Sequence, residues 1–280
     1  MIIQTKGLEG FLYKFILMKN LYFIIIISCC IFTGNSQSKY PKDFFSSPVD
    51  IKMAIAGTFG ELRKNHFHSG IDIKTKQKIN LPIYAAQDGY ISRIKISTYG
   101  FGKALYINHL KDFTTVYAHL EKFSPEIQKI AEEKQYMQES FEIDFSPQKN
   151  KILVKKGQLI GFSGNTGSST GPHLHFEIRD TKTQQIINPM LFGLPILDRT
   201  KPIIKSILIH HENGKKEILK TQKNNLGDYK IPTSVKVQNS FNISIETYDL
   251  LDAAPNKNGI YEIELFVNDI LFFHNKITKF

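Results

Sequence analysis

Residues 173–178, "HLHFEI", alternate polar and apolar side chains at every step. In an extended strand this puts His173, His175 and Glu177 on one face and Leu174, Phe176 and Ile178 on the other. The apolar face belongs in a core, and the face bearing two imidazoles must open on solvent or a ligand. A sheet with one buried face is therefore imposed on this part of the chain. Neighbouring segments agree: "LPIYAAQDGYISRIKIS" from Leu81, "GKALYINH", "TTVYAHL" and "KILVKKGQLIGFS" are short β-branched and aromatic runs set off by Gly and Asp turns. They predict an antiparallel sheet built from hairpins. Residues 37–60 read as an extended entry segment.

One stretch breaks the pattern. Ser124-Pro125 is a helix start, and Phe123, Ile127, Ile130 and Met137 recur at helical spacing, so 123–141 is expected to be a short helical insertion packed on the sheet edge. After "NPMLFGLPILDRTKP", alternating runs such as "IIKSILIHH" and "FNISIETYD" continue without a helix signal. The fold class expected is thus an all-β core with a helical insertion, followed by a small β-sandwich-like region. With 280 residues the chain has room for both cores. The divisions read as 37–195 and 196–280, the latter ending soon after a good strand.

The segment from Met18 has a basic start, an apolar stretch from Leu21 to Phe32, and small residues Gly34 and Ser36 before Gln37. This is the layout of a secretory signal over residues 1–36, with Met18 as an alternative start, and its apolar part falls short of the roughly 20 residues of a membrane span. Lipid attachment at Cys29 ranks second, because Cys30-Ile31-Phe32 would make an unusually apolar mature start. The only two cysteines, Cys29 and Cys30, lie in this segment, so a chain cut before Gln37 has no thiolate ligands or disulfides. Any metal must be held by His, Asp or Glu. The net charge of +10 suits an anionic partner such as a wall polymer, while no arginine-rich stripe or nucleic-acid motif supports DNA or RNA binding.

Three segments supply the chemistry. In "HFHSGID" (66–72), His68 and Asp72 would lie about 13 Å apart on a straight strand, but Ser69-Gly70 is turn chemistry that can fold them together. In "TTVYAHL", strict alternation puts Tyr117 and His119 on one face, opposite Val116, Ala118 and Leu120. The third is the His173/His175 pair. Together they offer four imidazoles and a carboxylate. A catalytic zinc takes three protein ligands and leaves a position for water, and a hydrolase needs further groups for proton transfer and oxyanion stabilisation. Spacing does not say which of His173 and His175 would bind metal.

"HFHSGID", "VYAHL" and "GNTGSSTGPHLHFEIR" resemble the three motifs of the lysostaphin-type zinc peptidases, which cut peptide bonds in bacterial peptidoglycan. The resemblance spans roughly residues 50–192. It implies an antiparallel lysostaphin-type sheet, one zinc ion on His68, Asp72 and His175, and catalytic histidines at His119 and His173, with Tyr117 expected close by. It also implies an exported protein acting on a peptidoglycan peptide. The helix at 123–141 and the C-terminal region depart from the family core. The glycine-rich stretch 163–171 lacks the lysine and following helix of a phosphate loop and reads as a hairpin loop lining the groove. His66 and His109 read as packing or surface residues, and His210, His211 and His274 receive no role. Two rivals are a catalytically inactive wall-binding regulator of another hydrolase, which should have lost ligands, and a closed structural zinc site, which would leave the spare histidines unexplained.

Overall fold

A computed structural model of the chain describes residues 40–237 and 240–280. The secretory segment, Cys29 and Cys30 lie outside the described residues. Strands β1 (Ile55–Gly57), β2 (Ile71–Lys74), β3 (Pro82–Tyr84), β4 (Gly89–Ile96), β5 (Lys103–His109) and β6 (Phe113–Phe123) precede helix α1 (Pro125–Gln138). Strands β7 (Ile143–Phe145), β8 (Leu153–Val154), β9 (Leu159–Ser163), β10 (His173–Asp180) and β11 (Ile186–Ile187) follow. All join one antiparallel sheet with the main order β1-β2-β10-β6-β5-β4-β7, while β3, β8, β9 and β11 pair along its margins.

The alternation in β10 does what the sequence requires. Leu174, Phe176 and Ile178 are fully buried in the main core with Ile71, Ile73, Ile91, Ile94, Leu105 and Ile107. Val116, Ala118, Ala104 and Tyr106 form a separate small cluster with Phe101 against it. These residues alternate with core residues along β5 and β6, so they floor the opposite face of the sheet. His175 is in register with Asp72 on β2 and with Ala118 on β6, which sets it among this second group.

Helix α1 starts at Pro125, as the sequence indicates, and buries Ile127 and Ala131 against β6 and β7. Phe123, the first of the helically spaced apolar residues, instead completes β6 inside the core, and Met137 is 78% exposed. The packing face of the helix is therefore narrower than the spacing suggests.

Beyond residue 196, β12 (Ile203–His211), β13 (Lys216–Lys220), β16 (Phe241–Leu250) and β17 (Lys257–Asn258) form a four-stranded sheet in the order β13-β12-β16-β17. Two ribbons accompany it: β14 (Gln222–Lys223) with β15 (Tyr229–Lys230), and β18 (Glu262–Val267) with β19 (Ile270–Lys276). The last residues return to the first sheet, where Phe280 N–H and Ile186 N–H each donate to the other's carbonyl. The sequence pattern did not announce this return.

His109 lies inside the main core edge. Its Nδ1 is 2.9 Å from the Asp88 carbonyl and its Nε2 2.7 Å from the Thr115 hydroxyl, with Phe45 packed edge-on. It has the packing role the sequence suggested. Burial pushes its pKa down from 6.5 to about 4. The folded state thus holds it neutral while the unfolded chain takes up a proton, so its contribution is complete above pH 6.5 and is lost as pH falls to 4. The difference amounts to about 3 kcal/mol. Urea unfolding between pH 7 and 4.5 is expected to show a stability loss of that order in the native chain that is absent from His109→Gln. Parallel curves for the two proteins would refute it.

Candidate metal centre

The register of β2 with β10 puts Asp72 directly across from His175. The bend at Ser69-Gly70 then folds His68 back onto the pair, as the turn chemistry suggests. His68 Nε2 lies 3.0 Å from Asp72 Oδ1 and 3.1 Å from His175 Nδ1, and His175 Nδ1 lies 3.0 Å from the same Asp72 oxygen. Ligands at zinc-bond distances on tetrahedral corners stand about 3.3 Å apart, so this triangle is of the size one such ion spans.

The remaining ring nitrogens fix the direction of the lone pairs. His68 Nδ1 is 2.8 Å from the Thr58 carbonyl, an acceptor only, so Nδ1 carries the proton and Nε2 offers its lone pair inward. His175 Nε2 donates in the same way to Glu177 Oε1 at 3.0 Å, leaving Nδ1 to face the triangle. Glu177 is fully buried and is held from its other side by Arg179 at 2.6–2.7 Å. Three acceptor atoms held this close in a buried place require a positive charge among them.

The titration behaviour says the same. Burial works to raise the Asp72 carboxyl, yet hydrogen bonds from His173, His175 and His68 outweigh it and hold it far below the carboxylate range. Burial works to lower His175, while hydrogen bonds to Asp72 and Glu177 raise it to about 9. The donor set fits zinc, which accepts neutral imidazole and carboxylate together and needs no thiolate.

His119 and His173 stand beside the triangle. Their rings are 4.8 Å apart, His119 is 5.8 Å from the His175 ring, and His173 Nε2 is 3.3 Å from Asp72 Oδ1. Each is anchored by Nδ1 on a main-chain carbonyl at 2.8 Å, Thr166 for His119 and Gly171 for His173, which leaves Nε2 of each ring outside these bonds. Both carbonyls come from the glycine-rich loop between β9 and β10. Burial, with the nearby His175 and His173 charges, lowers His119 to about 4 and keeps it neutral.

The structure corrects the reading of β6. Tyr117 does not share a face with His119 and is not at the site. It is fully buried in the main core, where its hydroxyl accepts from Ala86 N–H at 2.8 Å and burial pushes its pKa to about 12. The reason is a bulge: Leu105 pairs with Tyr117 and Lys103 with Leu120, so Ala104 alone opposes both Ala118 and His119. His119 has a φ of +59°, in the left-handed region that favours glycine, and Leu120 returns to the core. The extra residue re-aims the imidazole from the core to the groove.

Sequence reasoning also passed over the groups that hold these side chains. Glu177 was detectable, because alternation put it on the face of His175. The carbonyls of Thr58, Thr166 and Gly171 have no side-chain signature. His66 is exposed beside Asn65 and takes no part in the triangle. Among the described residues Glu262, Glu264 and His274 also cluster, but Lys276 already pairs with Glu262 at 3.1 Å.

The loop that anchors His119 is packed backbone to backbone. Gly102 has a φ of +62°, and a Cβ on it would stand 2.3 Å from Thr166 Oγ1. Gly102→Ala is therefore expected to cost on the order of 2 kcal/mol in urea unfolding and to speed solvent exchange of the His119 ring N–H. A variant as stable as the native chain would contradict this packing.

A profile described as peptidase family M23 matches residues 66–138 and 129–189. The chain is 36% identical over 134 residues to the DD-carboxypeptidase/endopeptidase Mpg of Neisseria meningitidis, covering 48% of this chain and 24% of that protein. It is 29% identical over 180 residues to the peptidoglycan DD-endopeptidase ShyA of Vibrio cholerae, covering 59% and 34% respectively. It thus spans about a quarter to a third of the length of these relatives. The solved structure of a zinc containing peptidase from Vibrio cholerae is 29% identical, covers 53% of this chain and 40% of that chain, and superposes with a TM-score of 0.40.

Proposed function

Because residues 66–189 match the profile of peptidase family M23, we propose that the chain is an exported zinc metalloendopeptidase that hydrolyses peptide cross-links of bacterial peptidoglycan. His68, Asp72 and His175 hold one zinc ion, and His119 and His173 act on the substrate. The observation that carries this reading is the convergence of His68 Nε2, His175 Nδ1 and Asp72 Oδ1 within 3.1 Å of one another, with the rings of His119 and His173 beside them. Relatives that are peptidoglycan DD-endopeptidases support the substrate class, and the secretory layout of residues 1–36 with the charge of +10 supports an envelope location. No described helix is long and apolar enough to cross a membrane.

A zinc ion bound there supplies a Lewis acid for the scissile carbonyl and a water acidified to near neutral pH. The protein's part follows from its own atoms. Glu177 and the Thr58 carbonyl fix the ring orientation of His175 and His68, as carboxylate and carbonyl partners of metal-bound histidines do. His119, kept neutral by burial, presents a free Nε2 that can accept a proton from the attacking water. His173, whose ring lies 4.8 Å from that of His119, can in its protonated form hydrogen-bond the tetrahedral oxyanion and then pass a proton to the leaving amine. Beneath these rings the sheet face is made by Ala104, Val116 and Ala118, with Phe101 packed against them. His119 and His173 stand beside the three ligands without joining them, whereas a closed structural site would enlist a fourth.

Purified cross-linked peptidoglycan, digested by the zinc-loaded protein, is expected to release new amino termini that a chelator abolishes. The absence of new fragments from metal-loaded protein would favour the wall-binding regulator. Alanine at His68, Asp72 or His175 is expected to empty the site, whereas His119→Ala and His173→Ala should retain zinc and lose about 10²- to 10⁴-fold in cleavage rate. Zinc loss in the latter two, or full activity, would overturn the division of roles.

A further inference from the structure

Asp72 has two carboxylate oxygens, and the protein treats them differently. Oδ1 faces His68, His175 and His173 at 3.0–3.3 Å. Oδ2 accepts from Arg63 Nη2 at 3.1 Å, and the same nitrogen is 3.1 Å from Glu61 Oε2. Glu61 is itself fixed, its Oε1 accepting from Thr58 N–H at 2.8 Å, Thr58 Oγ1 at 2.9 Å and Gly259 N–H at 3.1 Å. The last donor comes from the C-terminal β region. A chain of hydrogen bonds and one ion pair thus runs from that region through Glu61 and Arg63 to Asp72.

Two further features mark this contact as built. A Cβ at residue 57 would lie 2.3 Å from Arg63 Nη2 and 2.8 Å from Asp72 Oδ2, so Gly57 leaves the space the pair fills. Arg63 Nε is buried without a hydrogen-bond partner among the described residues, so the guanidinium is not placed to satisfy its own donors. The same loop is covered by the chain's last residues, with Phe280 stacked on Phe59 at 4.7 Å.

We propose that Arg63 is a positioning residue that makes Asp72 a one-oxygen ligand, and that Glu61, braced by Gly259, holds Arg63 there. This rests on the zinc-site reading above. An aspartate free to turn can offer both oxygens to a metal and fill the corner that a hydrolytic water needs. With Oδ2 engaged by Arg63, only Oδ1 reaches the ion and the corner stays open. The C-terminal region is thereby a working part of the centre, since its main chain donates to the carboxylate that fixes the arginine.

The test uses the full chain, with zinc affinity read by competition with a chromophoric chelator and geometry read from the visible spectrum of the cobalt(II) form. Arg63→Met is expected to bind zinc about 10- to 100-fold more weakly, and its cobalt bands should weaken toward the five-coordinate pattern. Adding Glu61→Gln to Arg63→Met should cost little more, because Glu61 acts through Arg63. If Arg63→Met does not fold, Glu61→Gln alone carries the same readouts, since it keeps an oxygen for Thr58 and Gly259 and loses only the charge facing Arg63. Native zinc affinity with an unchanged cobalt spectrum in a folded variant would overturn the proposal while leaving the zinc site intact. A native chain that takes up no zinc would instead overturn the functional reading, and this inference with it.

Discussion

Everything at this site follows from one electrostatic demand: two imidazole lone pairs and a carboxylate oxygen meet within 3.1 Å, inside a protein, with no donor of their own. Such an arrangement is stable only around a positive charge. The protein enforces it from behind. Thr58 and Glu177 take the outer nitrogens of His68 and His175, so neither ring can turn its lone pair away without abandoning a buried acceptor. The raised pKa of His175, about 9, is the same demand expressed as an affinity for a proton.

The sheet supplies the geometry at low cost. One face of β10 joins a large apolar core, which stabilises the strand whatever its other face carries. The opposite face is then free to hold His173, His175 and Glu177, with small residues of β5 and β6 as floor. Register does the rest, pairing His175 with Asp72 on one side and with Ala118 on the other. His119 required a departure from regularity. A bulge and a left-handed backbone at that residue turn it out of the core and toward the other three rings.

What was legible in the sequence was whatever depends on period or on short-range turn chemistry. The alternation of 173–178, the turn between His68 and Asp72, and the start of α1 at Pro125 all belong here. The five side chains proposed for the centre were singled out by residue identity together with the resemblance of their three motifs to a known family. Tyr117 was misplaced because alternation cannot reveal an inserted residue, and Met137 because helical spacing does not say which turns meet a sheet. The Thr58, Thr166 and Gly171 carbonyls, and the contact of Arg63 with Asp72, depend on how distant loops pack.

The family match covers residues 66–189, while the loop that steadies Asp72 begins before it and is braced by residues well beyond it. The most direct measurement of the central claim is a crystal of the zinc-soaked chain with diffraction recorded on both sides of the zinc absorption edge. The account predicts one strong anomalous peak within about 2.1 Å of His68 Nε2, Asp72 Oδ1 and His175 Nδ1. Peaks elsewhere on the surface, with none among these three atoms, would contradict it.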